Sequence, residues 1–361
     1  MHRVVEPRLA PGGARIGWVG GRDVAEIWVA PLDADGVAGP AVAVPTPVPV
    51  AASLSHGGGA WCWSTDASHV VYAAVDGTLR RAAVAEGAGD VVAAGDGAWC
   101  APAAAGPYVV ALRRDAATDA VVRTRPSSPD DVVSCASADF CFDPVVNAAG
   151  AVAWHEWDVP DMPWDGGRIR LAPPDAVDLD GADTVTVDGG DGVAVAEPRF
   201  SPDGRRLAWI AERDDRRGVW CAAVDGGAVG EPRPVFTLRD AEVGGPAWGP
   251  GLRSFAWSPD GTRILVAARR DGADTLHVVD VDTTDVRRVP GPAVPGVARW
   301  VSWEGAWAAC AWSDPTTPAQ VRVFDPASGA GVHRSASHGA APFPPLGAVE
   351  HVTWRGVTVD G

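Results

Sequence analysis

The chain contains no lysine. All thirty of its basic residues are arginine, against forty-six acidic ones, and the net charge is −16. An acidic chain without a basic stripe argues against nucleic acid and anionic membranes as partners. There is one asparagine, Asn147, and no apolar run of eighteen residues, so no membrane span is expected. Long helical periodicity is absent too. The first twenty residues carry Arg3, Glu6, Arg8 and Arg15 and no apolar core, which predicts no secretory signal and a cytoplasmic location. The six cysteines (Cys62, Cys100, Cys135, Cys141, Cys221 and Cys310) form no CxxC pair. They read as free thiols in apolar strands, and no Cys/His cluster has zinc spacing. Neither metal nor cofactor is expected. No serine has glycine two residues before it, so the GxSxG elbow of a serine hydrolase is missing.

What the chain has in quantity is turn residues: 43 glycines and 32 prolines. The clearest use of them lies in residues 197–226. Ser201-Pro202-Asp203-Gly204 reads as a tight turn, with proline presetting φ and glycine taking the position that needs φ > 0. A strand with Trp209, a charged turn over 212–217 and a returning strand over 218–224 follow. Such a hairpin cannot bury its own faces. Ser258-Pro259-Asp260-Gly261 repeats it. Weaker copies stand at 10–13, 64–67, 104–107, 147–150 and 302–305, with a mean step of about 49 residues. Seven such units predict an all-β chain, a seven-bladed β-propeller with four-stranded antiparallel blades over residues 1–340. Within it the third blade reads as about 97–124 and the sixth as beginning at 245–248, and residues 341–361, rich in proline and then strand-like, read as an exit segment.

Two stretches break the pattern. His56-Gly57-Gly58-Gly59 brings backbone close to something before the aromatic strand at Trp61, either blade packing at the axis or a ligand. Residues 154–165 (WHEWDVPDMPWD) gather three tryptophans, three aspartates, a glutamate and two prolines. Pro160 and Pro163 end the strand, leaving a long acidic and aromatic loop of the kind that carries function on a rigid scaffold.

With that segment in view, the chain resembles the N-terminal propeller of the prolyl oligopeptidase family of serine peptidases, in its acylaminoacyl-peptidase and dipeptidyl-peptidase-like branch. The matching pieces are residues 154–172 (WHEWDVPDMPWDGGRIRLA), HGGG at 56–59, ADFCFDP at 138–144, the two SPDG turns, GGPAW at 244–248 and EHVTW at 350–354. The segment ending in MPWDG is fairly specific, whereas SPDG is common to many propellers. The resemblance implies a domain that gates peptide access to an α/β-hydrolase domain. Here the triad-bearing part has no counterpart, so no catalytic residue is assigned. The family often holds a peptide's amine with carboxylates. That makes Glu156 and Asp158 the first candidates, with Trp157, Asp161, Trp164, Asp165, His56, Gly57 and Gly58 as further ones. The plainer reading gives the carboxylates to loop amides and the tryptophans to packing. Peptides or a hydrolase domain are the partners implied. The alternatives are a stand-alone propeller that binds peptides or proteins, or a propeller enzyme with a central-channel site. For the last, Asn147 is a poor start for a calcium centre, while His56, His155 and His277 sit on different blades.

Overall fold

The structure is a computed structural model, described for residues 4–21, 24–51, 59–85, 89–95, 97–115, 118–135, 138–247, 249–291 and 294–333. His56, Gly57, Gly58, Trp248 and the 341–361 exit segment lie outside the described residues. Thirty strands and no helix occur among those described. They form seven antiparallel sheets, each contiguous in sequence. Every sheet has four strand positions. In the fifth blade Ala228–Val229 and Arg233–Phe236 share the outer position, and in the sixth Glu242–Val243 and Phe255–Trp257 share the inner one. This is the seven-bladed propeller expected.

The core is divided as the ring geometry demands. A four-stranded blade has two apolar faces, so each must be covered by a neighbour. Seven buried clusters fill the seven blade junctions. One joins Leu112 and Val121 of the third blade to Trp154 and Trp157 of the fourth, and another joins Leu9 and Ile16 of the first to Val321 and Val323 of the seventh. Among the described residues no strand is exchanged between the first and last blades. Their seam is closed by that cluster, by Leu9 N–H donating to Ser302 Oγ at 3.1 Å, and by two turns pressed together. A Cβ on Gly13 would meet Glu304 O at 2.7 Å, and one on Gly305 would meet Gly12 O at 2.9 Å.

The repeated turns join the innermost strand of each blade to the second. Ser201 and Ser258 hydroxyls donate to Asp203 and Asp260 at 2.6 and 2.5 Å, and Gly204 and Gly261 take φ of 71° and 69°. In the second blade Ala67 occupies the glycine position with φ 57°. Three expectations need correction. The turn placed at 212–217 is only Asp214-Asp215, both left-handed (φ 51° and 56°), with the strand Arg206–Arg213 running up to it. The third blade does not end near 124, because Ser128–Cys135 completes it. The sixth blade does not begin at 245–248, because Glu242–Val243 already pairs with its second strand. Pro246 and its neighbours belong to an excursion between Glu242–Val243 and Phe255–Trp257. The six cysteines are free and buried.

Candidate functional site

Two ends of the propeller must be distinguished. At one end lie the repeated turns, and at the other the loops joining second and third strands, including residues 158–167.

The loop end holds most of the predicted candidates. Glu156 is the penultimate residue of the strand Val152–Trp157 and is 1% exposed. Trp154 Nε1 donates to its Oε2 at 2.7 Å, Arg168 Nε to its Oε1 at 3.3 Å, and Arg170 Nη1 lies 3.5 Å from Oε1. Trp157 is buried, stacked on Phe140 at 5.0 Å and edge-on to Phe142 at 4.8 Å. His155, 1% exposed and with its ring 5.0 Å from that of Trp157, is held down to a pKa of about 3, first by burial and then by the Arg168 charge. Asp158 is half-exposed. Its Oδ2 accepts from Arg168 Nη2 at 2.5 Å and its Oδ1 from Asp139 N–H at 3.1 Å, while Asp139 Oδ2 accepts from Val159 N–H at 2.9 Å. Asp161 and Asp165 are exposed, and Met162 N–H donates to Asp165 Oδ2 at 3.4 Å. Trp164 is half-buried beside Pro163, Glu197 and Arg217. The loop is thus pinned on both sides by carboxylates, and Asp158, Asp161 and Asp165 face solvent.

The turn end surrounds a cavity of about 460 Å³ on the propeller axis. Each blade contributes its turn to the mouth: Pro11, Thr65, Gly106, Ala148, Pro202, Pro259 and Glu304. Inside, Arg8, Arg199 and Arg253 arrive from the first, fifth and sixth blades, with Asp143 from the fourth. Their placement comes from a second repeat along the innermost strands. Glu6, Ala101, Asp143 and Glu197 each precede a proline and take φ of 48–54°, and Trp300 takes 55°. At each the register slips, a bulge that kinks the strand at the axis.

The acids at these bulges reach the backbone of another blade, the adjacent one for Glu6 and Glu197 and the sixth for Asp143. Glu6 Oε2 accepts from Ala60 N–H at 3.0 Å, Glu197 accepts from Ser254 N–H and Oγ–H at 2.7 Å each, and Asp143 Oδ1 accepts from Gly251 N–H at 2.5 Å. Burial raises the pKa of all three, partly opposed by the arginines. Arg199 donates to Pro198 O at 2.8 Å and Leu252 O at 2.6 Å. Arg8 lies 3.5 Å from Glu6 Oε2. Arg253 is held well below the usual arginine range by burial and by the charges of Arg8 and Arg199. It also lines a second cavity of about 250 Å³, with Gly244, Arg269, Asp274 and Trp300, and so divides the two spaces. None of these axial residues was singled out as a site from the sequence. The signal was present in Glu-Pro-Arg at 6–8 and 197–199 and in Asp143-Pro144, although Glu-Pro-Arg also occurs at 231–233, leading into an outer strand of the fifth blade. His155 and His277 do not line the axial cavity. Among the described residues no three His, Cys, Asp or Glu side chains gather as a metal site.

No protein-family model matches the chain, and no curated protein matches it. Solved structures do. A puromycin-hydrolyzing peptidase of Mycobacterium tuberculosis aligns with a TM-score of 0.73 and 20% identity over 92% of this chain and 52% of its own. A prolyl endopeptidase aligns at 0.65 and 16% over 92% of this chain and 48% of its own. An oligogalacturonate lyase solved with manganese aligns at 0.60 and 14% over 88% of this chain and 87% of its own. The chain spans about half the length of the peptidases it matches, and what it shares with that half is the seven-bladed propeller fold.

Proposed function

We propose that this chain is the propeller of a prolyl-oligopeptidase-type serine peptidase, screening peptides before they reach an α/β-hydrolase domain. The observation that carries this reading is the asymmetric match: nearly all of this chain against half of each peptidase. The loop end is the proposed hydrolase-facing side. Val24, Val75, Val159, Met162 and Val294 are exposed in loops at that end, whereas among the described residues Val177 is the one exposed large apolar side chain in a loop at the turn end, the other exposed valines lying on outer strands. Apolar groups left exposed on one face suit a covered surface. On that face Asp158, Asp161 and Asp165 are the proposed contacts for a peptide's ammonium group, with Glu156 fixing Arg168 behind them and Trp164 shaping the loop. Trp157 supports the loop by packing.

The test has two parts. The purified chain should not turn over chromogenic aminoacyl or acylaminoacyl substrates, and the DNA downstream of the Gly361 codon should encode a GxSxG elbow. Turnover blocked by a serine-directed inhibitor, or downstream sequence with no hydrolase, would overturn the proposal. A second reading is a stand-alone propeller that binds peptides or proteins, favoured by the near end-to-end match to the lyase. The manganese named for that lyase has no evident counterpart here, since the described residues offer no ligand cluster.

A further inference from the structure

The axial cavity is built from charges that the peptide-gating reading does not use. Five charged side chains line it: Arg8, Arg199, Arg253, Asp143 and Glu304. Glu6 and Glu197 stand behind them, buried. The carboxylates are already engaged. Ala60, Gly251 and Ser254 N–H groups donate to Glu6, Asp143 and Glu197 at 2.5–3.0 Å, and Gly12 N–H reaches Glu304 at 3.4 Å. Arg199 spends its two terminal nitrogens on backbone carbonyls. Two arginines differ. Arg8 has one long ion-pair contact to Glu6 and lies over the Trp61 ring at 5.8 Å, and its Nε is buried without a hydrogen-bond partner among the described residues. Arg253 Nε is in the same condition. Its guanidinium lies where the axial cavity meets the cavity on the other side.

A guanidinium offers five donors in a plane and stays charged, so a sheltered one without an acceptor is costly unless something supplies oxygens. Two on one cavity wall suit a group with several oxygens and negative charge, which can take charge-assisted bonds from both. A cation finds the nearby carboxylates spent on amides. A cavity of about 460 Å³ admits a small ion or the end of an extended chain but not a folded partner.

We propose that the axial cavity is an oxyanion site, in which Arg8 and Arg253 hold a carboxylate or a phosphate entering through the ring of turns. The site lies at the opposite end from the acidic loop and is independent of the peptidase reading. Both free phosphate and a peptide's C-terminal carboxylate have this chemistry, and the test separates them. The full 361-residue chain is titrated calorimetrically, at constant ionic strength held with chloride, against inorganic phosphate, an N-acetylated tripeptide acid and the same tripeptide amide. Saturable one-to-one binding of phosphate or of the acid is expected, with the amide at least tenfold weaker than the acid if the carboxylate is the ligand. Arg253→Gln should weaken binding tenfold or more, Arg8→Gln by a similar factor, and Arg270→Gln, on the surface, should leave it unchanged. Absence of saturable binding by both anions, or equal affinity in the Arg253 and Arg8 variants and the parent, would overturn the proposal. Should Arg253→Gln not fold, Arg8→Gln decides alone.

Discussion

Asp214 and Asp215 occupy the two central positions of a hairpin that requires left-handed backbone at both. Its counterpart in the next blade, Asp271-Gly272, gives the second position to glycine. Asp-Gly suits such a turn better than Asp-Asp, because glycine has no Cβ to strain at φ > 0. Asp215→Gly should therefore stabilise the chain by about 0.5 kcal/mol, the relief of strain exceeding the added entropy of the unfolded chain. A denaturant midpoint that falls instead would contradict this. His155 gives a prediction of another kind. In the folded chain burial keeps it neutral down to about pH 3, whereas unfolded it takes up a proton near its ordinary value of 6.5. The unfolded state thus binds the extra proton, and stability declines as pH falls from 6.5 towards 3. The slope from this residue is at most about 1.4 kcal/mol per pH unit. His155→Gln should flatten the profile between pH 6.5 and 5 relative to the parent. Burial raises Glu6, Asp143 and Glu197, an effect of opposite sign that is common to both proteins and cancels in the comparison.

At the level of strands and loops, the blades are stapled by carboxylates that accept from the backbone of the next blade. Asp274 takes both Nε and Nη2 of Arg269 at 2.8 Å and the N–H of Ala298, on the seventh blade, at 2.8 Å. Asp119 does the equivalent with Arg114 and Cys141 N–H. Asp274→Ala should cost about 3 kcal/mol, because it strands a guanidinium and a buried amide together. Asp282, which pairs with Arg206 at 2.9 Å on the surface, should change stability by no more than about 0.5 kcal/mol when replaced by alanine. Paired urea titrations of the two variants test the contrast. The SPDG turns could be read from composition because proline and glycine state their backbone angles in their identity. The bulges could not. Glutamate, aspartate and alanine take φ near 50° there before a proline, and tryptophan without one, and the following proline does not by itself announce a left-handed residue; contacts to other blades hold the three acids. Likewise residues 245–248 read as the start of the sixth blade, yet its inner strand begins earlier and is broken around Gly245 and Pro246, since nothing nearby in sequence shows that the pairing resumes at Phe255. The acidic loop was legible as a loop, but not Arg168 and Arg170 closing on Glu156 from the facing strand. The axial arginines were further out of reach: Arg8 and Arg253 are 245 positions apart in the numbering and meet only when the ring closes.

For the whole molecule, each blade is a continuous stretch of chain, and each junction has its own buried cluster. Elsewhere in the ring a blade passes to the next in a few residues, as between Ala93 and Ala98 or between Cys135 and Phe140. His333, at the edge of the seventh blade, and Val5, on the innermost strand of the first, stand in the same relation. Residues 4–333, joined by a linker of comparable length and opened between the third and fourth blades, should therefore fold to the same ring. The expected readout is an unchanged far-ultraviolet circular dichroism spectrum and a single unfolding transition. Separate transitions would instead show that continuity across the original junctions matters. The seam between the first and seventh blades is then no different in kind from the other six. Evolution could cut such a circle at any of its seven seams and still recover the same wheel.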